Sequence, residues 1–543
     1  MDDSMPRFRR PANEPVLAYA PGSPERAQLK AALARMRNEQ VEFGSRIAGA
    51  EVRGEQPLEL VCPHEHRRVL GRCHMGGARE TLQAIEAALA ARQRWAATPW
   101  QERAAIFLRA AELLAGAYRP VLNAATMLNQ SKTAHQAEID SACELIDFWR
   151  FNVWYMTQIY AEQPSSPPGV INRLDYRPLE GFVFAVSPFN FTSIQANLPT
   201  APALMGNTVV WKPAPNAMLA PYYIMRLLEE AGLPPGVINM VAGDPAAAGE
   251  AALSHPELAG VHFTGSVSTF RRIWKAVGAN IERYRSVPRV VAETGGKDFI
   301  IAHPSADLQA LHTAIIRGGY EYQGQKCSAV SRVYVPRSLW PELRERLVAT
   351  IGEIRMGDVT DFTNFMGAVI DARAFAKIRG YLEHARSQSC YRVLAGGGAD
   401  DRIGWFVEPT LIETTDPGGR LMCEEIFGPV VTVYAYEDTD WLGALELCER
   451  TSPYGLTGAV FARDRAALQT ASAVLRYAAG NFYINDKPTG AVVDQQPFGG
   501  ARHSGTDDKA GSAHNLRRWV IPRAIKEALA PPLDWRYPFM QEA

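Results

Sequence analysis

Short apolar segments alternate with helical segments along most of the chain from residue 181 onwards. Strands are expected at GFVFAVS, NTVVWKP, GVINMVAG, AGVHFTG and RVVAET, with amphipathic stretches such as PYYIMRLLEEAG between them. The alternation restarts at KDFIIA and continues to about residue 490. Because strand–helix–strand units form parallel sheets with helices on both faces, the pattern predicts an α/β protein with two such domains.

The chain before residue 181 is predicted to be mainly helical. Residues 17–46, 75–117 and 137–162 carry apolar side chains at helical spacing, and the last range is expected to form one long buried helix. The Pro- and Ser-rich QPSSPPGVIN then ends that helix and begins an extended segment. After the first strand of the alternating region, Thr192 is expected to cap the next helix.

Composition argues against several classes of function. The chain has 57 Lys and Arg against 58 Asp and Glu, which gives no electrostatic case for nucleic acid or an anionic membrane surface. No apolar run is long enough for a transmembrane helix, so membrane insertion is not expected. The first residues, MDDSMPRFRRPANEP, fit neither a signal peptide nor a convincing transit peptide. Seven cysteines without regular spacing favour a reducing compartment. We therefore expect a cytoplasmic protein, or one of the mitochondrial matrix if the source is eukaryotic.

One Cys- and His-rich segment, CPHEHRRVLGRCH, raises the question of a metal site. Structural zinc sites pair their ligands at close spacing in each half, whereas the two cysteines of this segment, Cys62 and Cys73, are far apart. No metal site is predicted.

Three residues at or after predicted strand ends could carry catalysis. Ligands bind at the carboxyl ends of strands in open parallel sheets. Cys327 in QGQKCS can act as a thiolate nucleophile, Glu293 in ETGGK as a general base, and Asn190 in SPFNFT as an oxyanion donor. The Cys327 loop is expected to lead into a helical turn whose N–H groups favour the thiolate. The structural alternatives are an inert buried cysteine, a local salt bridge and a turn asparagine.

A phosphate site is expected at HFTGSVSTF. There, a strand, a glycine turn and Ser266 at a helix start can offer backbone N–H groups and a hydroxyl. Lys212, after another strand, can reach a ribose hydroxyl or a phosphate. The alternatives are a simple helix cap for Ser266 and a solvated surface lysine.

In their order along the chain, PFNF, WKP, FTGS, ETGGK, GQKCS, EEIFGPV, YGLTGAVF and GNFYIN resemble the motifs of the aldehyde dehydrogenase superfamily. The resemblance implies a Rossmann-like dinucleotide-binding domain, an α/β catalytic domain and an oligomerisation arm. The NAD-binding domain is then expected at 1–163 and 181–296, and the catalytic domain at 297–495. The arm and the C-terminal tail would occupy 164–180 and 496–543. Since the family forms at least dimers, a homodimer or higher homo-oligomer is expected.

The same resemblance implies roles for individual residues. Cys327 attacks the aldehyde carbonyl, Asn190 and the Cys327 N–H hold the oxyanion, and Glu293 activates water to cleave the thioester. NAD is the implied cofactor, although Pro215 offers no carboxylate against a 2′-phosphate and leaves NADP open. The implied cofactor contacts are Ser187, Lys212, Gly265, Ser266, Val267, Ser268, Thr269, Glu425 and Phe427.

A narrower resemblance is to the 1-pyrroline-5-carboxylate dehydrogenases, which oxidise L-glutamate γ-semialdehyde to L-glutamate in proline catabolism. It is carried by AEIDSACELIDFWRFN, DKPTGAVV, QQPFGGARHSGTDDKAG and DWRYPFMQ. The substrate contacts that it implies are Ser328, Gly490, Ala491, Phe191, Phe498 and Glu144. Asp494 stands where the family usually has glycine, and its carboxylate would either repel the substrate or point away.

The narrower resemblance also bears on partners. No proline dehydrogenase region precedes residue 13, so the single-function form is expected, and an association with a separate proline dehydrogenase is left open. Three other functions remain as alternatives. They are a NAD(P)-dependent dehydrogenase of another acidic semialdehyde, a thiol hydrolase that uses no redox cofactor, and a catalytically silent binding protein. No role is predicted for Lys326.

Overall fold

The computed structural model describes residues 8–540, which contain two seven-stranded sheets. The first seven residues of the N-terminal segment MDDSMPRFRRPANEP lie outside the described residues. The strands, in chain order, are β1 (Val41–Phe43), β2 (Ser45–Ile47), β3 (Ala50–Val52), β4 (Gln56–Cys62), β5 (Glu65–Met75), β6 (Val170–Pro178), β7 (Phe182–Val186), β8 (Thr208–Lys212), β9 (Ile238–Met240), β10 (Leu258–Thr264), β11 (Arg289–Glu293), β12 (Asp298–Ala302), β13 (Val330–Pro336), β14 (Tyr391–Ala395), β15 (Ala399–Asp400), β16 (Phe406–Val407), β17 (Thr410–Thr414), β18 (Val430–Tyr436), β19 (Tyr454–Gly455), β20 (Thr457–Phe461), β21 (Asn481–Ile484), β22 (Ala501–Arg502) and β23 (Val520–Ala528).

The helices cover the faces of these sheets. In chain order they are α1 (Pro24–Asn38), α2 (Ala78–Ala97), α3 (Trp100–Ala115), α4 (Arg119–Gln130), α5 (Ala134–Ala137), α6 (Leu145–Ala161), α7 (Thr192–Leu204), α8 (Leu219–Glu230), α9 (Pro245–Leu253), α10 (Val267–Ala279), α11 (Leu308–Tyr320), α12 (Trp340–Glu353), α13 (Ala372–Ser387), α14 (Arg420–Cys423), α15 (Trp441–Arg450), α16 (Arg465–Val474) and α17 (Ala513–Arg517). A π-helical turn, Glu138–Glu144, joins α5 to α6.

The first sheet has the strand order β11-β10-β7-β8-β9-β2-β3. Strands β11 to β9 are parallel, and β2 runs antiparallel to both β9 and β3. One hydrophobic cluster packs α3, α4, α6, α7 and α8 on one side of this sheet, and another packs α2, α9 and α10 on the other. Because both faces are covered, β7, β8 and β10 are apolar and buried almost throughout.

The second sheet has the strand order β14-β17-β18-β13-β12-β20-β21, and only β14 runs antiparallel to its neighbour. Helices α11 and α12 pack on one face, and α15 and α16 pack on the other. The predicted α/β class with two mainly parallel sheets is confirmed.

The C-terminal part of the chain forms a small separate sheet and contacts the first large sheet before it leaves it. Strand β22 pairs with β19, Gly505 forms a bridge with Glu293, and Trp519 is fully buried in the core of the first sheet. Strand β23 then pairs antiparallel with β6 over nine residues each, and most of its side chains are exposed. This two-stranded ribbon lies outside both sheets.

The predicted helix at 17–46 is wrong in its extent. Helix α1 begins after Ser23, whose hydroxyl accepts the N–H of Arg26, and ends at Asn38. The chain then forms β1, in which Val41 and Phe43 pair in parallel with β5. A β-branched and an aromatic side chain at alternate positions suit a strand better than a helix once a partner strand is available.

The prediction of one uniform helix at 137–162 also needs correction. The helix runs through this range, but its first residues form the π-helical turn, which turns Asp140 and Glu144 toward α7. No helix within residues 8–540 is long and apolar enough to span a membrane. In that same part of the chain, no three His, Cys, Asp or Glu side chains are grouped to hold a metal ion.

Candidate active site

A cavity of about 800 Å³ opens at the carboxyl ends of β7, β8, β10 and β11. The cysteine loop between α11 and β13 forms part of its wall. The predicted site residues that line it are Ser187, Asn190, Lys212, Gly265, Ser266, Thr269, Cys327, Glu425 and Phe427. The remaining predicted residues lie outside this lining. They are Glu144, Phe191, Val267, Ser268, Glu293, Ser328, Gly490, Ala491 and Phe498.

Cys327 is half-buried on the cavity wall and leads into strand β13. The helical turn predicted here is a single turn, in which the Ala329 N–H donates to the Lys326 carbonyl at 3.1 Å, and the chain then enters β13 rather than a helix. Upstream of the cysteine, Tyr322 and Gln323 have left-handed φ values of 52° and 55°. Burial raises the pKa of the Cys327 thiol well above its ordinary value, and the nearby carboxylates of Asp298 and Glu425 add to the shift. A thiol with a raised pKa is protonated at neutral pH, and a nearby positive charge would favour its thiolate.

Asn190 lies just beyond β7 and is buried. Its Nδ2 donates a hydrogen bond of 3.0 Å to the carbonyl oxygen of Gln325, two residues before the cysteine. An amide nitrogen carries two N–H groups, so one remains for an oxygen in the cavity. The structure thus joins the segment of Asn190 directly to the cysteine loop.

Glu293 is the last residue of β11, and its carboxylate lies against a different loop. Its Oε2 accepts the Gly500 N–H at 2.9 Å, and a Cβ at Gly499 would stand 3.0 Å from Oε1. Burial raises the pKa of Glu293 well above its ordinary range, and the charge of Asp507 acts in the same direction. A raised pKa makes the ionised carboxylate a stronger base, which suits a group that takes a proton from water.

Lys212 ends β8 and is buried rather than solvated. Burial lowers the pKa of its ammonium to about 8, and the charge of Asp244 opposes this shift. The alternative of a surface lysine is therefore wrong. Ser187, at the end of β7, accepts a hydrogen bond of 2.9 Å from the indole of Trp211. Both side chains line the cavity.

The turn at Gly265 leads into α10. The Ser266 hydroxyl accepts the Thr269 N–H at 3.3 Å, so it is the N-cap of this helix. Ser266 also lines the cavity, which means that the cap and the ligand-binding roles are compatible. Val267 and Ser268 form the first turn of α10 but do not line the cavity.

Glu425 stands across the cavity from these residues and is held by a glycine pair. Its Oε1 accepts the Gly296 N–H at 3.1 Å, and a Cβ at Gly295 would lie 2.3 Å from both carboxylate oxygens. A side chain at Gly295 would thus displace the carboxylate. Phe427 has a left-handed φ of 60° and meets the ring of Phe189 edge to face at 5.8 Å.

The residues implied for a substrate carboxylate lie beside the cavity. Ser328 is buried, and its Oγ is 2.8 Å from the hydroxyl of Thr489, which sequence reasoning missed. Gly490 has φ +87°, a conformation that favours glycine, and Ala491 follows it, half-buried.

Two carboxylates near the predicted substrate path have defined partners. Asp494 accepts hydrogen bonds of 2.5 Å from both Arg10 and the Tyr155 hydroxyl, so its charge is neutralised within the protein. The Glu144 Oε2 is 2.8 Å from the Ser193 hydroxyl, and burial together with the charge of Asp140 raises its pKa to about 8.

The two predicted phenylalanines are half-buried. Phe191 lies between Asn190 and α7, and the Lys132 ammonium is 4.1 Å from its ring centroid. The backbone N–H of Phe498 donates to the carbonyl of Ala510, and the N–H of Ala510 donates to the carbonyl of Phe498. Thr192 is the first residue of α7 rather than its cap, and the N-cap residue, Phe191, offers no side-chain acceptor.

Several residues of this site escaped prediction. Asp371, Arg373 and Lys377 line the cavity at the start of α13, and Lys377 donates to the Glu425 carbonyl at 2.9 Å. Asp371 was detectable, since it caps α13 by accepting the Ala374 N–H. Lys326, which had no predicted role, is buried and pairs with Glu321 at 3.2 Å.

Comparison with known proteins agrees with this geometry. The aldehyde dehydrogenase family model matches residues 50–525. Delta-1-pyrroline-5-carboxylate dehydrogenase, mitochondrial, from Bos taurus is 50% identical over 531 residues, which cover 98% of this chain and 94% of the relative. The crystal structure of the Delta-pyrroline-5-carboxylate dehydrogenase from Mycobacterium tuberculosis bound with NAD matches with a TM-score of 0.96 and 52% identity over 100% of both chains.

A more distant structural match covers almost all of this chain but only part of a longer protein. Proline utilization A (PutA) from Bdellovibrio bacteriovorus matches with a TM-score of 0.91 and 30% identity, over 96% of this chain but 54% of the other. The family model and the full-length relatives together account for nearly all of this sequence. The chain therefore belongs to the aldehyde dehydrogenase family.

Proposed function

We propose that this protein is a NAD-dependent dehydrogenase that oxidises L-glutamate γ-semialdehyde, formed by hydrolysis of 1-pyrroline-5-carboxylate, to L-glutamate. The observation that carries aldehyde oxidation is the meeting of Cys327 and Asn190 on the wall of one dinucleotide-sized cavity. The substrate assignment is supported by relatives of that name at about half identity over almost the whole chain.

The cavity fits NAD by its own chemistry. Lys212 brings a buried ammonium to the wall, and the start of α10 brings backbone N–H groups and the Ser266 hydroxyl. Glycine at 295 lets the Glu425 carboxylate lie against the backbone, where it can accept a ribose hydroxyl. When bound, this cofactor accepts a hydride. Pro215 lines the cavity without a charge, so NADP is the second candidate.

The residues support a thioester mechanism. The Cys327 thiolate adds to the aldehyde carbon, and the carbonyl oxygen becomes an oxyanion that the free N–H of Asn190 and the Cys327 backbone N–H can stabilise. Loss of hydride from that carbon leaves a thioester on Cys327. Glu293 takes a proton from water, the resulting hydroxyl adds to the thioester, and the thiolate leaves as the carboxylic acid forms.

The far end of the substrate needs an anchor for its carboxylate. We assign this to the Ser328 hydroxyl and the N–H groups of Gly490 and Ala491, since Ser328 adjoins the nucleophile and Thr489 already brings its loop within hydrogen-bond distance. Pairing of Asp494 with Arg10 removes the repulsion that a free carboxylate would cause. The runner-up substrate is another acidic semialdehyde, which the same anchor would accept.

A steady-state comparison tests this proposal. Wild type is assayed with pyrroline-5-carboxylate, succinate semialdehyde and a short aliphatic aldehyde, each with NAD+ and with NADP+. The proposal requires the highest kcat/KM for pyrroline-5-carboxylate with NAD+. An Ala491→Asp variant should lose that activity far more than activity with the aliphatic aldehyde, and equal losses would point to misfolding.

The predicted domains and assembly belong to the same proposal. The two sheets support an NAD-binding domain at 1–163 and 181–296 and a catalytic domain at 297–495. The β6–β23 ribbon and the tail, within 164–180 and 496–543, support the role of an oligomerisation arm, because large apolar side chains on them are exposed. These are Ile171, Leu529, Leu533, Trp535, Tyr537, Phe539 and Met540.

Compartment and partner are proposed on separate grounds. All seven cysteines are free, which supports a reducing compartment such as the cytoplasm, and the name of the bovine relative places that protein in mitochondria. Similarity to about half of a proline utilization protein supports an association with a proline dehydrogenase. Co-purification of tagged protein with that enzyme would test the second point.

A further inference from the structure

A buried ion pair lies directly behind the segment that carries Asn190. The Lys132 Nζ is 2.6 Å from the Asp140 Oδ2, and both side chains are fully excluded from solvent. Lys132 lies between α4 and α5, and Asp140 lies in the π-helical turn. Neither residue lines the cavity, and neither has a part in the function proposed above.

Asp140 caps helix α7 from another part of the chain. Its carboxylate accepts the N–H groups of Thr192 and Ser193 at 2.9 Å each, and the Ser193 hydroxyl at 2.7 Å. The first N–H groups of a helix lack partners within the helix, and a carboxylate both satisfies them and favours the positive end of the helix dipole. Asp140 thus fixes the start of α7, two residues after Asn190.

Lys132 contacts the segments on both sides of the nucleophile. Its Nζ is 4.1 Å from the ring centroid of Phe191 and 4.5 Å from that of Tyr322. Phe191 directly follows Asn190, and Tyr322 opens the left-handed turn before Cys327. A cation over an aromatic face is attracted to it, and the attraction grows where water is excluded. One ammonium therefore links the two segments.

A hydrogen bond joins the same two segments on the cavity side, from the Asn190 amide to the Gln325 carbonyl. We propose that Lys132 and Asp140 are positioning residues that set the amide of Asn190 relative to the sulfur of Cys327. This inference rests on the proposed function, in which that amide stabilises the oxyanion. A donor works only within a few tenths of an ångström of its place, so a support that holds both segments acts on rate.

Stability alone is a poor reason for such a pair. Taking two charges out of water costs about as much as their attraction returns, and apolar replacements of the same volume are often tolerated. The alternative role, a purely structural one, predicts that changes at Lys132 and Asp140 alter melting temperature without a specific effect on the chemical step.

The test compares Lys132→Met, Asp140→Asn and the double variant with wild type. Each single variant should lower kcat about 10²-fold, the loss that a 1 Å misplacement causes, with KM for the aldehyde nearly unchanged. The matched control is Glu138→Gln. Glu138 is a fully buried carboxylate in the same π-helical turn, but it pairs with Arg119 and not with α7. This control should lower the melting temperature and leave kcat unchanged.

The same substitution in a second genetic background separates a positioning role of Lys132 from a purely structural role. In Asn190→Ala, the amide that Lys132 supports is gone, so Lys132→Met should then have little further effect on kcat. An equal fold-change in both backgrounds would overturn the proposal, since independent losses multiply. The double variant removes both buried charges at nearly constant volume. It allows the same comparison of kcat if a single variant does not fold.

One further readout does not depend on the natural substrate. Hydrolysis of p-nitrophenyl acetate by Cys327 needs no cofactor, because the thiolate displaces p-nitrophenolate and water then cleaves the thioester. It passes through the same oxyanion, so it should fall in parallel with kcat. If wild type ignores pyrroline-5-carboxylate but hydrolyses the ester, the proposed function fails while this inference is still decided by the variants.

Discussion

At the scale of single residues, the state of the nucleophile is the most informative feature. Burial and neighbouring carboxylates hold the pKa of the Cys327 thiol well above 9.0, so the protein alone keeps it protonated. The oxidised nicotinamide ring is positively charged, and a nearby positive charge favours the thiolate. We predict that NAD+ shifts the pH midpoint of Cys327 alkylation downward, as measured by iodoacetamide labelling across pH. Cys327→Ala gives the background from other thiols, and identical midpoints with and without NAD+ would contradict the account.

Glu144 gives a second prediction at this scale. Its pKa rises from 4.5 to about 8 on folding, so the folded protein binds this proton more tightly than the unfolded chain. Its contribution to the free energy of unfolding is therefore largest below pH 4.5 and is lost as the pH rises to about 8. The melting temperature of wild type should fall more steeply over that range than that of Glu144→Gln.

The control for Glu144 is Glu138→Gln. Burial alone would raise the pKa of Glu138, but Arg119 and other hydrogen-bond donors lower it below its ordinary value. Above its ordinary pKa it stays ionised in both states, so wild type and Glu138→Gln should differ by a constant amount. A slope difference as large as that of Glu144→Gln would remove Glu144 as the cause.

Sequence motifs located the residues proposed to act on ligands, but not those proposed to hold them in place. Asn190 and Lys212 sit in short local patterns at or after strand ends, and Cys327 sits in one just before β13, so their chemistry can be read directly. Lys132 and Asp140 sit in no such pattern, because the groups that they contact, other than each other, lie about 50 to 190 residues away in the chain. Such contacts exist only after folding.

At the scale of secondary-structure elements, the turn after β11 makes a sharp prediction. Alanine at Gly295 would place a methyl group 2.3 Å from the Glu425 carboxylate and push that side chain into the cavity. Gly295→Ala should therefore raise the KM for NAD+ by about tenfold or more, a loss of roughly 1.4 kcal/mol of binding, while the aldehyde KM changes less. Steady-state kinetics with NAD+ as the varied substrate measures this.

A matched glycine lies in α10. A Cβ at Gly278 meets no atom within 4 Å, so Gly278→Ala should leave the KM for NAD+ unchanged and stabilise the helix slightly. If both variants raise the KM for NAD+ equally, the position of the Glu425 carboxylate does not determine NAD+ binding.

The elements themselves were predictable to different degrees. The strands β7, β8, β10 and β11 follow from apolar runs of the right length between turn signals. The short strands β1 and β2 could not be predicted in this way, because pairing with β5 and β9 determines that they are strands. The π-helical turn was likewise invisible, since a stretch of seven residues is too short for its different period to show in the apolar spacing.

At the scale of the whole molecule, the exposed ribbon and tail are the basis of the proposed self-association. Tyr537 is 66% exposed on the tail, and Tyr477, after α16, is 72% exposed. If the tail contacts a second subunit, Tyr537→Ala should shift the subunit equilibrium toward smaller species, whereas Tyr477→Ala should not. Light scattering at several protein concentrations reports the mass. A monomeric wild type, or equal shifts in both variants, would argue against the arm.

The whole-molecule fold was the part best predicted from sequence, since the alternation of strands and helices already requires sheets with two covered faces. How the chain connects the two sheets was harder to predict from the sequence. It depends on contacts such as the Gly505 bridge to Glu293, which joins the C-terminal loop to the edge strand of the first sheet. This bridge ties the strand that carries the proposed base to the C-terminal loop.

The central claim is oxidation of glutamate γ-semialdehyde through a Cys327 thioester. Its most direct measurement is NADH absorbance after pyrroline-5-carboxylate is added to the protein and NAD+. Wild type should form NADH steadily, and Cys327→Ala should show only background. The claim would be contradicted if wild type were silent with pyrroline-5-carboxylate while oxidising succinate semialdehyde, or if Cys327→Ala retained the activity.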